Sequence, residues 1–285
     1  MSPAPPAAPP SATRAACLGP DGSFSHLIAE MRFPGLPVET LSSIAEVFDR
    51  AQADPHTVGI VPIENSSGGF IIDTVDRLIA DGGNLYIQEE LTLDVKLALL
   101  GHADPTVEVI YSHSMPFFHA DEWLRQHYPT ARRVAKPSTA VAAQLAAAEP
   151  GAAAIGPRQN ARRHGLEVLH YPIAGEVPNM TQFFVISHQP PTPDATQNRS
   201  AWVVDLADRP GSLCLFLTPL SQRGINLKRL ESRPIRGQPN QYRFYIEIEG
   251  SQAQSNVQAA LDQARSDGAS LRCLGAYTSG LTFVS

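Results

Sequence analysis

The chain has 285 residues, long enough for about two domains of ordinary size, and its 43% hydrophobic and 18% charged content is that of a soluble globular protein. A net charge of −6 argues against nucleic acid or an anionic membrane as partner, and no apolar run reaches the roughly 18 residues that would span a bilayer. Three cysteines, Cys17, Cys214 and Cys273, are too few and too scattered for a disulfide framework or a metal site, and they fit a reducing cytosol.

Residues 1–14 are mostly Pro, Ala and Ser, lack the apolar segment of a signal peptide, and read as a disordered tail. A short strand over 15–18 ends in the turn-forming run Gly19-Pro20-Asp21-Gly22-Ser23-Phe24-Ser25-His26, whose hydroxyls can enter a helix start. Ser43-Ile44-Ala45-Glu46 is a capping box, and Ile44, Val47, Phe48 and Ala51 follow at the spacing of one helix face. The apolar run 59–63 is a buried strand that delivers Glu64, Asn65 and Ser66 into a glycine-containing loop at its carboxyl end, where open α/β sheets place ligands. A helix follows from about Ile72, with Val75 and Ile79 on one face, and these units predict a parallel sheet covered by helices. Leu91, Leu93, Val95, Leu97 and Leu99 alternate with Thr92, Asp94 and Lys96, which predicts one long strand crossing from a first lobe into a second.

The second lobe repeats the theme. A strand over 107–111 ends at Ser112-His113; another over 132–135 ends at Lys136-Pro137-Ser138-Thr139, where Ser138 is placed to cap an alanine-rich helix; a third over 152–155 ends at Gly156-Pro157-Arg158. After Pro178-Asn179-Met180-Thr181-Gln182, the apolar run 183–186 returns to the first lobe. Two lobes joined by two crossings leave a cleft, the usual place for a small-molecule site. The loops expected at its mouth carry Ser23, Ser25, Glu64, Asn65, Ser66, His113, Ser138, Thr139 and Thr181. Helix amino termini beside several of them offer N–H groups and a positive dipole end, so a small anionic ligand is expected.

The proline-rich run 188–199 reads as a linker. Beyond it come a strand over 200–206, the turn Arg209-Pro210-Gly211-Ser212 opening a helix with Leu213, Phe216, Leu217 and Leu220 on one face, and an extended run over 225–235. Phe244, Ile246 and Ile248 then alternate with Tyr245, Glu247 and Glu249 in a half-buried strand; Val257, Ala260, Leu261 and Ala264 mark a helix, and 271–277 a last strand. The order βαββαβ predicts an antiparallel sheet with helices on one face.

Taken in series, the turn at 19–26, Val61-Pro62-Ile63-Glu64-Asn65-Ser66, Ser112-His113, Ser138-Thr139-Ala140 and Asn179-x-Thr181-x-Phe183 resemble prephenate dehydratase in order and rough spacing. Arg209-Pro210-Gly211-Ser212-Leu213 and Glu231-Ser232-Arg233-Pro234 resemble the two phenylalanine-binding motifs of the regulatory ACT domain that follows it. The resemblance covers roughly residues 15–283. It implies an α/β fold: a two-lobed periplasmic-binding-protein-like (type 2) catalytic domain over 15–187, with a first lobe of about 15–92 plus 180–187 and a second of about 93–179, then a βαββαβ ACT domain over 200–285. It also implies a homodimer or homotetramer with no metal or organic cofactor; the tail is too short for chorismate mutase helices to be expected before the catalytic domain, and the charge and cysteine content keep the expectation of a cytoplasmic protein without nucleic acid or membrane partner. The implied activity is decarboxylating dehydration of prephenate to phenylpyruvate in L-phenylalanine biosynthesis, with phenylalanine as the feedback ligand.

Carried over residue by residue, Thr181 becomes the hydrogen-bond donor to the leaving hydroxyl, with Glu64, Asn65 and Ser66 beside it. Ser23, Ser25, His113, Ser138, Thr139, Gln182 and Phe183 would bind substrate. Phenylalanine would meet Arg209, Pro210, Gly211, Ser212, Leu213, Asn226, Leu227, Glu231, Ser232 and Arg233. Two departures stand out. Where the family's threonine is followed by arginine this chain has Gln182, so Lys136, Arg158 or Arg162 is expected to face the cleft and supply the missing charge. Ser114-Met115 follows His113 where the family has Pro-Gln. Arogenate dehydration, non-aromatising decarboxylation of prephenate, and an inactive phenylalanine-binding sensor are the competing readings.

Overall fold

Capped amphipathic runs alternate with short buried ones, and the computed structural model, which describes residues 12–103, 106–173, 178–190, 192, 194–235, 237–238 and 241–285, turns them into helices and strands in that rhythm. The first lobe holds β1 (Arg14–Leu18), α1 (Phe24–Arg32), β2 (Val38–Leu41), α2 (Ile44–Ala53), β3 (Thr57–Asn65), the two-residue β4 (Gly69–Phe70), α3 (Ile72–Ile79) and β5 (Tyr86–Asp94). The second holds β6 (Leu97–Gly101), β7 (Val109–Ser112), α4 (Ser114–His127), β8 (Arg132–Ala135), α5 (Thr139–Ala148), β9 (Ala152–Gly156), α6 (Gln159–His164) and β10 (Glu167–Ile173), after which β11 (Met180–Ser187) returns. A carboxy-terminal module follows as β12 (Arg199–Asp205), α7 (Ser212–Gln222), β13 (Leu227–Pro234), β14 (Tyr242–Glu249), α8 (Ser255–Ser266) and β15 (Ser270–Val284). Of the expected tail, residues 1–11 lie outside the described residues, and β1 already begins at Arg14. No described helix is long and apolar enough to cross a membrane.

Local chemistry sets the helix starts. Ser23, Ser43 and Ser138 adopt extended backbone at the N-caps of α1, α2 and α5, and each hydroxyl accepts an N–H three residues on. The capping box at α2 is displaced by one residue, because the Glu46 carboxylate reaches the N–H and hydroxyl of Ser42.

The expected single strand over 91–99 is two strands. β5 lies in the larger sheet and β6 in the five-stranded sheet of order β10-β6-β9-β7-β8, so the chain must turn at Val95-Lys96 to pass between them. Neither sheet is purely parallel. β1, β2 and β3 are parallel, as are β7, β8 and β9, but β11 runs antiparallel to both β3 and β5, and β6 antiparallel to β9 and β10. A returning crossover enters the sheet from the opposite end, which fixes that direction.

Hydrophobic packing separates the two faces of the larger sheet. Leu91, Leu93, Phe183 and Val185 pack with Ile28 and Ala29 of α1 and with Ile110 and Ile155 of the second lobe. Val61, Ile63, Phe184 and Ile186 pack on the other face with Val47 of α2, Val75 of α3, and Tyr245 and Tyr277 of the carboxy-terminal module. That module's helices cover one face of its antiparallel sheet, through Phe216, Leu220, Val257 and Leu261 on Trp202, Val204, Ile246 and Ile248. Its second face is not solvated as the alternation suggested: Tyr245 and Glu247 are both fully buried against the first lobe.

The strand expected over 271–277 runs seven residues further, to Val284 in the 15-residue β15, and lies beside both β12 and β5, which joins module and lobe into one sheet of order β13-β14-β12-β15-β5-β11-β3-β1-β2. Gly275 makes that passage possible, since a Cβ there would overlap the Ile87 carbonyl oxygen of β5.

Burial also grades the cysteines. Cys17 on β1 is fully buried, and burial, with Asp21 and Glu30 adding to it, pushes its thiol up to about 12. Cys214 is exposed on α7. A thiol reagent at pH 8 is therefore expected to modify Cys214 in the native protein and Cys17 only after unfolding; mass spectrometry showing rapid native labelling of Cys17 would contradict the packing of β1.

Candidate functional site

Three parallel strands of the two lobes end in helix caps. Ser23 follows β1 and caps α1, also donating to Leu18 O at 3.1 Å; His113 follows β7 and caps α4, accepting from Met115 N at 3.4 Å; Ser138 follows β8 and caps α5. Ser25 is buried within α1. Thr139 is buried as well, and a Cβ on Gly156 would press on its Cβ at 3.0 Å, so Thr139 packs inside the second lobe.

The two lobes meet through side chains. Asn160 of α6, fully buried, donates from Nδ2 to Gly22 O at 2.9 Å, and Arg163 pairs with Glu30 of α1 at 2.8 Å. Gly22, at φ +81°, has no room for a Cβ beside the Asn160 side chain, so that turn demands glycine on two counts.

The centre of the arrangement lies where β3 and β11 end side by side. Thr181 faces Asn65 across the antiparallel ladder, and Gln182 faces Glu64. Asn65 Nδ2 donates to Thr181 Oγ1 at 2.9 Å and to Asn179 Oδ1 at 3.1 Å, while its Oδ1 accepts the N–H groups of Ser67 and Gly68 at 3.0 and 3.1 Å. The Ser66 hydroxyl donates to Pro178 O and accepts from Met180 N, both at 3.0 Å. Sequence residues 64–66 and 179–181, over a hundred positions apart, are thus brought together.

Alternation then divides that group. Thr181 shares a face with Phe183 and pairs with Leu93, on the side packed against α1 and the second lobe. Glu64 and Gln182 point the other way, to the carboxy-terminal module. There Arg229 of β13 donates to Glu64 Oε2 and to Gln182 Oε1, each at 2.6 Å, and pairs with Glu247 and Glu90, also at 2.6 Å. Gln182 is consequently no part of the surface that carries Thr181, and Phe183, 1% exposed, is a core residue. Lys136 lies over the Tyr111 ring at 4.8 Å and Arg158 over the Tyr171 ring at 4.7 Å, both in the second lobe, and Arg162 is exposed on α6; the cation that meets Gln182 is Arg229.

Electrostatics at Arg229 are extreme. Burial works against its charge, but the carboxylates of Glu247 and Glu90 and the bond to Glu64 overcome it and raise its pKa well above the ordinary value. Burial pushes the Glu247 carboxyl upward, with Arg229 opposing and Glu90 adding to the rise. Nothing in the sequence marked Arg229 or Glu247, because each reads alone as one charge on a polar strand face.

In the carboxy-terminal module, the turn at 209–212 leads into α7 with Gly211 left-handed at φ 86°, and a cavity of about 210 Å³ opens beside Leu206, Arg209, Gly211, Leu213, Tyr242 and Phe244. The Ser212 hydroxyl is buried with no partner in the described structure. The second motif lies elsewhere: Arg233 is bonded to Asp76 of α3 at 2.6 and 3.0 Å and, with Pro234, lines a separate cavity of about 570 Å³ against the first lobe. Glu231 and Leu227 are half-buried on β13, and Asn226 and Ser232 are exposed. Among the described residues, Arg209, Gly211, Ser212 and Leu213 line the first of these cavities, and Arg233 and Pro234 the second.

Comparison with known proteins adds independent observations. The pattern described as "PDT: Prephenate dehydratase" matches residues 15–191. The bifunctional chorismate mutase/prephenate dehydratase of Pseudomonas aeruginosa is 32% identical over 269 residues, covering 93% of this chain and 73% of that protein. A crystal structure of prephenate dehydratase in complex with L-Phe from Arthrobacter aurescens superimposes with a TM-score of 0.81 at 29% identity, covering 93% of this chain and 90% of that one. A structure described as GqqA, a novel type of quorum quenching acylase, superimposes with a TM-score of 0.85 over 93% of this chain and 97% of that one, at 23% identity, a likeness of fold alone.

Proposed function

The chain belongs to the prephenate dehydratase family, enzymes of decarboxylating dehydration, and on that premise we propose that the Thr181 face of the interlobe cleft is its active site, within a catalytic domain over residues 15–187. In the reaction the ring carboxylate leaves as CO2, the electron pair of the broken carbon–carbon bond moves through the diene, and the C4 hydroxyl departs as water with one added proton. The ring becomes aromatic and phenylpyruvate remains. One observation carries the reading. Asn65 donates to Thr181 Oγ1 at 2.9 Å, which occupies that oxygen as an acceptor and leaves its own O–H to point at the departing hydroxyl.

The amino termini of α1, α4 and α5, capped by Ser23, His113 and Ser138, supply N–H groups and positive dipole ends for the two carboxylates of prephenate. Glu64, held by Arg229 on the far side of the sheet, supports Asn65 and does not touch substrate. The test is turnover of purified protein on prephenate and, in parallel, on arogenate, which carries an amino group in place of the keto group. Phenylpyruvate from prephenate at a kcat/KM at least tenfold above that for arogenate supports the assignment, and the reverse preference makes the protein an arogenate dehydratase.

Residues 200–285 act in this reading as an ACT regulatory domain, and the protein as a cytoplasmic homo-oligomer. The solved Arthrobacter aurescens relative is described in complex with L-Phe, which supports phenylalanine as the ligand here. Because its two binding motifs face different cavities in one chain, the ligand would bridge the turn at 209–213 of one subunit and Glu231 of another. Phenylalanine at a hundred times its dissociation constant should stabilise the folded protein by about 2.7 kcal/mol, read as a rise in Tm; an unmoved Tm together with unchanged turnover would remove the regulatory proposal.

A further inference from the structure

Thr181 and Asn65 stand at an insecure place in their ladder. The register of β3 against β11 slips by one residue immediately beside them, since Gln182 faces Glu64 but Phe183 faces Pro62, leaving Ile63 unpaired in the bulge. A bulge leaves its extra residue unpaired, disrupts the ladder locally and bends the bulged strand. On the loop side the pair is held by the Ser66 N–H, which donates to Met180 O at 2.8 Å, and by the Ser66 hydroxyl; on the bulge side the β3–β11 ladder is interrupted and gives Asn65 and Thr181 no such support.

The side chains behind the bulge do. One guanidinium reaches both partners of the neighbouring pair: Arg229 Nε to Glu64 Oε2 and Nη2 to Gln182 Oε1, each at 2.6 Å. Its third nitrogen is fixed in turn by Glu247, at 2.8 and 2.6 Å, and Glu247 accepts the Tyr245 hydroxyl. Glu90 of β5, which faces Phe184 of β11, adds an ion pair to the same nitrogen at 2.6 Å without hydrogen-bond geometry. The side chain of Arg229 is 7% exposed and that of Glu247 0%, so the inner half of the clamp is dry, while Glu64 at its outer end is 32% exposed. It joins β13 and β14 of the carboxy-terminal module to β3, β5 and β11, the three strands that end at the site.

We infer that Arg229 is a positioning residue for the Thr181–Asn65 pair: a planar fork, reaching through the sheet from the carboxy-terminal module, that pins the two strand ends against each other across the bulge. It touches neither Thr181 nor substrate and works through Glu64 and Gln182, the immediate neighbours of the two site residues. This rests on the Thr181 reading above and gives the carboxy-terminal module a constitutive part in turnover, separate from any ligand it binds. A lysine in its place would keep the charge but, as a point donor on a flexible stem, could not span Glu64, Gln182 and Glu247 in one plane.

The test is steady-state kinetics on prephenate with the full chain, comparing Arg229→Lys, Gln182→Leu and Gln182→Glu, each referred to the folded fraction in a thermal melt. Gln182→Leu leaves every ion pair of the clamp intact and cuts only the arm to β11, so it decides the matter even where Arg229→Lys fails to fold. The expected result is a kcat at least fivefold lower in Arg229→Lys and Gln182→Leu, with KM within twofold, and recovery of more than half of kcat in Gln182→Glu, which restores the acceptor oxygen. A purely structural clamp would lower the melting temperature and leave kcat per folded molecule unchanged. Less than a fivefold fall in the folded variants overturns the inference. Thr181→Val run alongside separates the two claims: turnover that survives it sinks the site itself, whereas turnover lost there but kept in the clamp variants overturns the positioning role alone.

Discussion

Replacing Thr181 with valine should lower kcat on prephenate by about 10²–10³-fold, the cost of removing one preorganised donor from a transition state, with the melting temperature within a few degrees of the parent. Valine keeps the β-branched shape that suits β11, so the strand loses almost nothing in propensity or packing. What it loses is the hydroxyl. That group is half-buried and accepts from Asn65, so its removal also costs folding about 1 kcal/mol at most. The large effect on rate beside the small one on stability is the signature of a group engaged in the transition state. Thr181→Ser, which restores the hydroxyl without the methyl, should regain most of the activity. A kcat within tenfold of wild type for the valine variant would mean that the departing hydroxyl is assisted from somewhere else.

The second large effect is on stability. Arg32 at the end of α1 is 3% exposed and donates through Nε to Glu89 of β5 at 2.7 Å, with a second contact from Nη2 to the other carboxylate oxygen. Truncating Arg32 to alanine leaves the Glu89 side chain, 11% exposed, in the interior without its cation. Breaking a buried pair from one side costs about 3–5 kcal/mol, and the urea midpoint should fall accordingly with the slope unchanged. The pair also fixes α1, whose other end carries Ser23, against the strand that faces Thr181 through Leu93. Replacing both partners by apolar residues of similar size should recover most of the loss. A single-variant loss below 1 kcal/mol would show that water reaches Glu89.

The Asn65–Thr181 meeting was legible because two polar tripeptides each sat at the end of an apolar run, and such runs become adjacent strands. The caps at Ser23, Ser43 and Ser138 were legible for the same local reason. What the sequence did not disclose is sidedness. In a strand buried on both faces, neighbours such as Glu64 and Asn65 are equally polar on paper, and only the partner strand decides that one faces the cleft and the other Arg229, 165 positions away. Glu247 illustrates the same limit. Its alternation with apolar neighbours signals a half-buried strand, and the second burial comes from a lobe more than 150 residues earlier. Gln182 was misplaced on the substrate surface because its motif was read as a linear unit, although strand geometry sends Thr181 and Gln182 to opposite faces. The passage of β15 into the larger sheet was hidden too, since Thr278 to Val284 alternate weakly and their burial depends on β5.

Substrate on the Thr181 face of the interlobe cleft would be seen in a crystal structure of the full chain with phenylpyruvate bound. The expected result is the ligand between the lobes, an oxygen or the ring edge in contact with Thr181 Oγ1, its carboxylate at the amino terminus of α1, α4 or α5, and Glu64 still bonded to Arg229. Phenylpyruvate bound on the Glu64–Gln182 side of the sheet, or anywhere out of reach of Thr181, would contradict it.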